Sequence, residues 1–313
     1  MNTPVSTLTL NPAIDVTYEI SQLVAQDKVN AKEANISPGG NGINVARALK
    51  RLGKETHTCC IFGGETGGLI RQLLRNEGVY PVTIEVPGRN RVNCTIQQRR
   101  PPEEFKVVGI GPEINEESLE EITTIFLRLA GTGYGVLSGS TLPGSPEDIY
   151  TDLAIKLRAQ GARAIVDTND AMLRETLEAK PFLIKPNKYE LEVMCGRSLP
   201  TLEAIAEEAR KVQQMGVDHV CVTMAEEGAI LVDANNSYYA PAPKVRVRCT
   251  VGAGDTMLAG LISALSDNQP LDEVLSLGLA CASGSIAHDG TELFDPDELD
   301  GLIEKIEVKD LSI

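Results

Sequence analysis

Short β-branched or apolar runs alternate with longer segments of helical period along most of this 313-residue chain, and that rhythm restricts its fold more than any other feature. Val5 to Leu10, Thr56 to Phe62, Gly135 to Ser138, Ala164 to Asp167, Phe182 to Lys185 and His219 to Thr223 read as strands. Gly42 to Leu52, Leu69 to Asn76, Glu117 to Leu129, Glu147 to Gln160, Lys188 to Met194 and Leu202 to Met215 read as helices. Strands apolar on both faces need cover on both faces. The alternation therefore predicts an α/β fold, a three-layer arrangement with a mainly parallel central sheet, whose ligands gather beyond the carboxyl ends of the strands.

Two stretches break the rhythm. Residues 13–37 and 87–110 read as extended segments with alternating polar residues and no helix. They are expected to lie together as a small β-sheet lid on one domain spanning residues 1–313, with an open face or edge that favours self-association. From Gly252 onward the pattern becomes helix on helix: Gly252 to Ser266, Leu271 to His288 and Pro296 to Ile306.

Lys and Arg number 29 against 44 Asp and Glu, a formal net charge of −15. Such a surface repels nucleic acid and anionic lipid, so neither partner is expected, and an anionic substrate needs locally gathered cations. Seven cysteines without a C-x-x-C pair argue against a disulfide framework or a zinc site. The N-terminal MNTPVSTLTLNP has no basic flank or apolar run of a signal peptide, and nothing approaches the roughly 20 apolar residues of a membrane span. A cytoplasmic protein is the expectation.

The strongest chemical signal is Thr250-Val251-Gly252-Ala253-Gly254-Asp255-Thr256, which runs into an apolar helix. Glycines let successive N–H groups converge at a helix N-terminus, and a lone carboxylate stands beside them. That combination suits phosphoryl transfer to an alcohol, although an ordinary glycine-rich helix start with Asp255 as a dipole partner has the same sequence. Ser37 to Ala48 holds a second glycine cluster opening an amphipathic helix, where the Asn44 amide can both donate and accept. In Leu183 to Glu190 a buried strand ends in Lys185, Asn187 and Glu190. Asn187 and Glu190 lie three apart at a helix start, where they suit hydrated Mg²⁺ on a nucleotide or, equally, a capping box. The third glycine of a dinucleotide loop is missing, and no G-x-x-x-x-G-K-[ST] occurs. The three histidines are too scattered for a metal cluster. Arg91, Lys106 and Lys28 fall in the lid, where together they would answer an anionic sugar phosphate.

From Thr7 to its end the chain resembles the ribokinase-like sugar kinases, in particular the phosphofructokinase B branch. The matching elements are Asn11 to Asp15, Gly39 to Ala48, Ser138 to Pro143, Val166-Asp167, Lys185-Pro186-Asn187-x-x-Glu190 and Thr250 to Asp255, in that order. The resemblance implies that Asp255 deprotonates the acceptor hydroxyl while the Gly252, Ala253 and Gly254 amides receive the γ-phosphoryl group. It implies that Asp15, Gly39, Gly40, Asn44 and Ser140 hold the sugar, and that Arg91, assisted by Lys28 and Lys106, meets its phosphate. Lys185, Asn187 and Thr223 would line the ATP phosphates, and Asn187 and Glu190 would order Mg²⁺ through water. Glu227, Gly228, Ala282 and Ser285 would flank the adenine. A potassium site near Val245, Cys249, Val251, His288 and Gly290 and a homodimer through the lid belong to the same expectation.

The implied reaction is ATP-dependent phosphorylation of a phosphorylated ketohexose. Asn41, where 1-phosphofructokinases and tagatose-6-phosphate kinases usually carry lysine, together with Arg47-Ala48 and Gly290-Thr291, tilts the acceptor toward fructose 6-phosphate and glycolysis. Gly196 to Pro200 resembles the 1-phosphofructokinases instead. A non-catalytic sugar-phosphate or nucleotide sensor and a nucleoside or ribose kinase are the remaining alternatives. Ala225 stands where many relatives have glycine, and Glu292 where they have a basic residue.

Overall fold

A ten-stranded sheet organises the computed structural model, which describes residues 3–288, 290 and 292–311. From edge to edge its strands are Lys309–Asp310, Ser237–Ala240, Ala229–Val232, His219–Thr223, Leu183–Ile184, Arg163–Asp167, Tyr134–Ser138, Val5–Thr9, Thr56–Phe62 and Val82–Glu85. The seven from His219–Thr223 to Val82–Glu85 are parallel, and the remaining three add antiparallel at one edge.

Neighbouring residues of the parallel strands serve opposite faces, as the pleat requires. Leu137, Val166, Ile184, Val220 and Val222 enter one apolar core, beneath the helices Glu116–Ala130, Ile149–Ala159 and Leu202–Gln214. Val136, Ile165, Leu183 and Cys221 enter the other, beneath Asn41–Arg51, Ala253–Ser266 and Leu271–Ile286. Both faces are covered, which is why these strands read as continuous apolar runs.

The chain order reverses at the central strand. Val5–Thr9 has Thr56–Phe62 on one side and Tyr134–Ser138 on the other. A crevice therefore opens beyond the carboxyl ends of Val5–Thr9 and Tyr134–Ser138. Out of this point rises a separate four-stranded sheet in the order Glu33–Gly39, Ala13–Ile20, Arg91–Arg99, Pro102–Val107. Its side chains alternate sharply. Asp15, Ser37 and Asn93 stand opposite one another on one face, and Ile14, Val92, Ile36 and Cys94 fall on the other.

Besides the edge strand Lys309–Asp310 and two short 3-10 turns, four elements went unread in the sequence: the strands Val82–Glu85, Ala229–Val232 and Ser237–Ala240, and the helix Asp170–Thr176. Each strand has four residues, too few for a period to register. The C-terminal region is helical as read, except for the edge strand Lys309–Asp310. All seven cysteines are free thiols, and among the described residues no helix is long and apolar enough to cross a membrane. Thr291 lies outside the described residues.

The helices Ala253–Ser266 and Leu271–Ile286 touch at backbone distance. A Cβ on Gly260 would lie 2.8 Å from Gly278 Cα, and one on Gly278 would lie 2.9 Å from Leu261. Gly260→Ala is therefore expected to force the pair apart and to cost about 1–3 kcal/mol, read as a lowered Tm. An unchanged Tm would show that the helix pair yields freely.

Candidate active site

Asp255 sits in the first turn of the helix Ala253–Ser266, 5% exposed, with its carboxylate aimed back toward the crevice. Gly252 fills the N-cap position at φ 81, a left-handed conformation that also leaves the helix start without a capping side chain. The amides of Ala253 and Gly254 thus stay available at the positive end of the helix dipole. Gly254 has a second constraint, because a Cβ there would come within 3.1 Å of Lys185 Nζ.

Three charged groups meet at this point. Lys185, at the carboxyl end of Leu183–Ile184, pairs with Asp167 at 3.2 Å, and both are buried. Burial alone would pull the Lys185 ammonium down, but Asp167 and then Asp255 outweigh it, so its pKa stands above the usual value and the group stays charged. Asp255 responds in the opposite sense. Burial first, then the neighbouring Asp167, push its pKa up to about 7 against the opposing Asn44 hydrogen bond and Lys185. A carboxyl poised near neutrality is suited to accept a proton and release it again.

Asn44 supplies the hydrogen bond. Its Nδ2 donates to Asp255 Oδ2 at 2.8 Å, and its Oδ1 accepts from Arg47 at 3.2 Å. Asn44 is thus turned toward the Asp255 carboxylate. Asp15 lies on the polar face of the small sheet. Asn93 Nδ2 donates to it at 2.7 Å, and the Gly109 amide donates to Asn93 Oδ1, which fixes that carboxamide in turn. A Cβ on Gly39 would fall 2.2 Å from Asp15 Oδ2, so only glycine lets the chain pass this carboxylate. Gly40, at φ 114, follows directly and precedes the helix Asn41–Arg51. Burial raises the Asp15 pKa, against Asn93, Arg91 and Arg47. Arg91 is half-buried beside it, its pKa lowered by burial and held up by Asp15, with Nε donating to Asn11 O at 3.2 Å. Across the switch point Asn11 Nδ2 donates to Ser140 Oγ, placing Ser140 on the same rim.

The other two lid cations stand apart from Arg91. Lys106 pairs with Glu104 at 2.7 Å and faces Thr95, four residues beyond Arg91 along the strand, about 13 Å away. Lys28 lies exposed in the loop between Ala13–Ile20 and Glu33–Gly39.

Beyond Lys185, Thr223 N donates to Pro186 O and Thr223 bridges Asn187, which brings Asn187 and Thr223 side by side. Asn187 and Glu190 form a reciprocal capping box: Glu190 N donates to Asn187 Oδ1 at 2.9 Å and Asn187 N to Glu190 Oε2 at 2.7 Å. Among the described residues no group of three or more His, Cys, Asp or Glu could hold a metal alone. The pair offers hard oxygen donors of the kind Mg²⁺ accepts, in number suited to an ion brought in with its phosphates and water. Glu227 is exposed in the turn Ala225–Glu227, followed by buried Gly228. Ala225 holds φ 51, a left-handed conformation that explains why glycine suits this position. On the helix Leu271–Ile286, Ala282 is half-buried, whereas Ser285 uses its hydroxyl to accept from Thr256 Oγ1 and to donate to Ala282 O.

Asp167, Arg47, Glu77 and Asn93 had no assigned role in the sequence reading, yet all belong to this network. Only Val166-Asp167 and Arg47 lay in quoted motifs, and nothing local to them announces their partners.

The chain belongs to the pfkB family of carbohydrate kinases, whose profile matches residues 4–298. It is 33% identical over 290 residues to a 1-phosphofructokinase of Bacillus subtilis strain 168, covering 92% of this chain and 95% of that one. It is 31% identical over 294 residues to an ATP-dependent 6-phosphofructokinase isozyme 2 of Escherichia coli K12, covering 93% and 95%. A crystal structure of phosphofructokinase-2 from Escherichia coli in complex with substrates and products superposes with a TM-score of 0.92 at 30% identity, covering 96% of this chain and 98% of that one. This is an ATP-dependent sugar kinase, and its relatives support a phosphorylated sugar as acceptor.

The buried carboxyl has a consequence for stability. Its pKa is near 3.8 when unfolded and about 7 when folded, so the folded chain binds the extra proton between those values. Stability due to the neutral form is present below about pH 4 and is lost as pH rises through 7. Asp255→Asn, which cannot ionise, should raise Tm at about pH 8, by about 2–4 °C for each kcal/mol regained, with the gain closing toward pH 4. An equal difference at both pH values would contradict the buried charge.

Proposed function

We propose that the enzyme transfers the γ-phosphoryl group of ATP to fructose 6-phosphate, forming fructose 1,6-bisphosphate. Asp255 takes the proton of the acceptor hydroxyl as that oxygen bonds to phosphorus and the bond to the departing ADP oxygen breaks. The single observation that carries this reading is a carboxyl poised near pH 7, buried beside the uncapped amides of Ala253 and Gly254. Lys185 runs its ammonium along the same helix start, against the Gly254 backbone, where it can neutralise phosphate charge. Asp15, Gly39, Gly40, Asn44 and Ser140 hold the sugar, and Arg91 meets the phosphate it already bears. Asn187 and Glu190 would hold Mg²⁺ arriving with ATP, through water, and the ion would supply charge neutralisation on the phosphates.

Asn41 supports fructose 6-phosphate, since its uncharged amide lies against Gly139 at the crevice, within 3.0 Å of where a Cβ would stand. Fructose 1-phosphate is the second reading, favoured by the likeness to the Bacillus subtilis enzyme. Both acceptors yield the same bisphosphate and differ in which end of the sugar faces Asp255. Potassium belongs to the same proposal. The Arg248 and Cys249 amides donate to Ile286 O, which brings the loop 245–251 beside the end of the helix Leu271–Ile286.

ADP release with fructose 6-phosphate, fructose 1-phosphate, tagatose 6-phosphate and free sugars tests the acceptor, with highest kcat/KM expected for fructose 6-phosphate. Arg91→Ala should raise KM for the sugar phosphate by about 10- to 100-fold, the loss of one charge-assisted contact. An unchanged KM, or preference for an unphosphorylated sugar, would end this reading.

The outer face of the small sheet supports a homodimer. Tyr18, Ile36, Val92, Phe105 and Val107 are exposed there, between 39% and 61%. An apolar patch of that extent on a charged protein favours a second copy of itself. Sedimentation is expected to give a dimer at micromolar concentration, and Val92→Lys with Val107→Glu to give a monomer. A wild-type monomer would contradict it.

A further inference from the structure

Arg47 is buried and lies one turn along the helix from Asn44. Glu77 grips it with both oxygens: Nε donates to Oε2 and Nη2 to Oε1, each at 2.7 Å. Its remaining Nη1 donates at 3.2 Å to Pro38 O and to Asn44 Oδ1. Guanidinium can only donate and an ionised carboxylate can only accept. The Asn44 carboxamide lies between the two. Turned one way, its oxygen meets Arg47 and its N–H meets Asp255; turned the other way, both contacts become repulsive.

We propose that Arg47, held by Glu77, is a positioning residue for phosphoryl transfer, locking the Asn44 carboxamide so that its N–H faces the carboxylate of Asp255. This rests on Asp255 being the base. Without the lock the amide turns freely, the carboxylate loses its donor part of the time, and its proton affinity rises while its aim loosens. The other groups facing Asp255 are Asp167 from Arg163–Asp167, Lys185 beyond Leu183–Ile184, and Asp15 from the small sheet. Arg51, one turn further along the same helix, acts on Arg47 and Glu77 from the far side and donates to Leu293 O and Phe294 O. None of these touches the Asn44 amide by hydrogen bond.

Arg47→Met keeps the apolar stem and removes the fork. Its kcat is expected to fall about 10- to 100-fold, the loss of one charge-assisted hydrogen bond, with KM for Mg-ATP within about twofold. The acid limb of kcat against pH should move to higher pH. Glu77→Gln, at a half-buried position that tolerates exchange, should move the limb the same way by less, and it carries the test should Arg47→Met fail to fold. In an Asn44→Ala background, adding Arg47→Met should change kcat less than about twofold, because the lock has nothing left to hold. Additive losses, or an acid limb unmoved in both Arg47→Met and Glu77→Gln, would overturn the proposal. Asp255→Asn separates the two ideas. If it still turns over, the base assignment fails; if it is silent while the acid limb of Arg47→Met stays in place, only the positioning role fails.

Discussion

A carboxyl group buried where it cannot easily ionise governs the site, and the surrounding structure is arranged around that difficulty. Asp255 lies beside Asp167, which worsens the repulsion, and beside Lys185 and Asn44, which relieve it. Remove Lys185 and a pair of buried carboxyls would be left to share protons, a different chemistry. Remove Asp167 and Lys185 would lose its direct partner at 3.2 Å, leaving a buried cation compensated only by Asp255. The trio sets the Lys185–Asp167 pair beside a carboxyl whose pKa stands near 7.

Topology brings these groups together from distant parts of the chain. Asp167 and Lys185 end adjacent parallel strands, and Asp255 begins a helix that crosses the same carboxyl edge. Asn44 reaches Asp255 across 211 residues of sequence, from a helix that starts just after the small sheet returns to the core. The sheet's reversal beside Val5–Thr9 creates the gap into which both helix starts point. On a protein of net charge −15, Arg91 and Lys185 put buried or half-buried cations near that gap.

Much of this was legible in the sequence, for a physical reason: glycines at a helix start, a following aspartate, and an Asn-x-x-Glu pair are local patterns whose geometry is set within one turn. Six of the seven parallel strands and most of their helices were legible too, because a doubly covered strand must be apolar along its length, whereas the four-residue Val82–Glu85 was too short to register. The antiparallel edge was not. Ala229–Val232 and Ser237–Ala240 meet through a turn in which Asp233 Oδ1 accepts from the Asn235 and Asn236 amides, and the Asp-x-Asn-Asn run is its only written sign. Nor was the support of the two key carboxylates readable. Asn93 meets Asp15 across 78 residues and Glu77 meets Arg47 across 30, so each partner looks like ordinary surface polarity until the chain is folded.

Alternation along the small sheet sets a polar face and an apolar face back to back. Asp15 and Asn93 face the crevice because they sit in register, and the same register sends Ile14, Ile36 and Val92 to the opposite side. A slip of one residue would exchange the faces, placing Asp15 outside and branched apolar groups toward the crevice. A partner seated on the outer face would resist any such slip or tilt of the strands. Ile14 and Val16 already tie one end of that face to the core, in an apolar cluster with Ile43, Phe62, Ile70 and Leu74, so on the homodimer reading a partner covers only the remaining exposed part, Ile36 and Val92 among it.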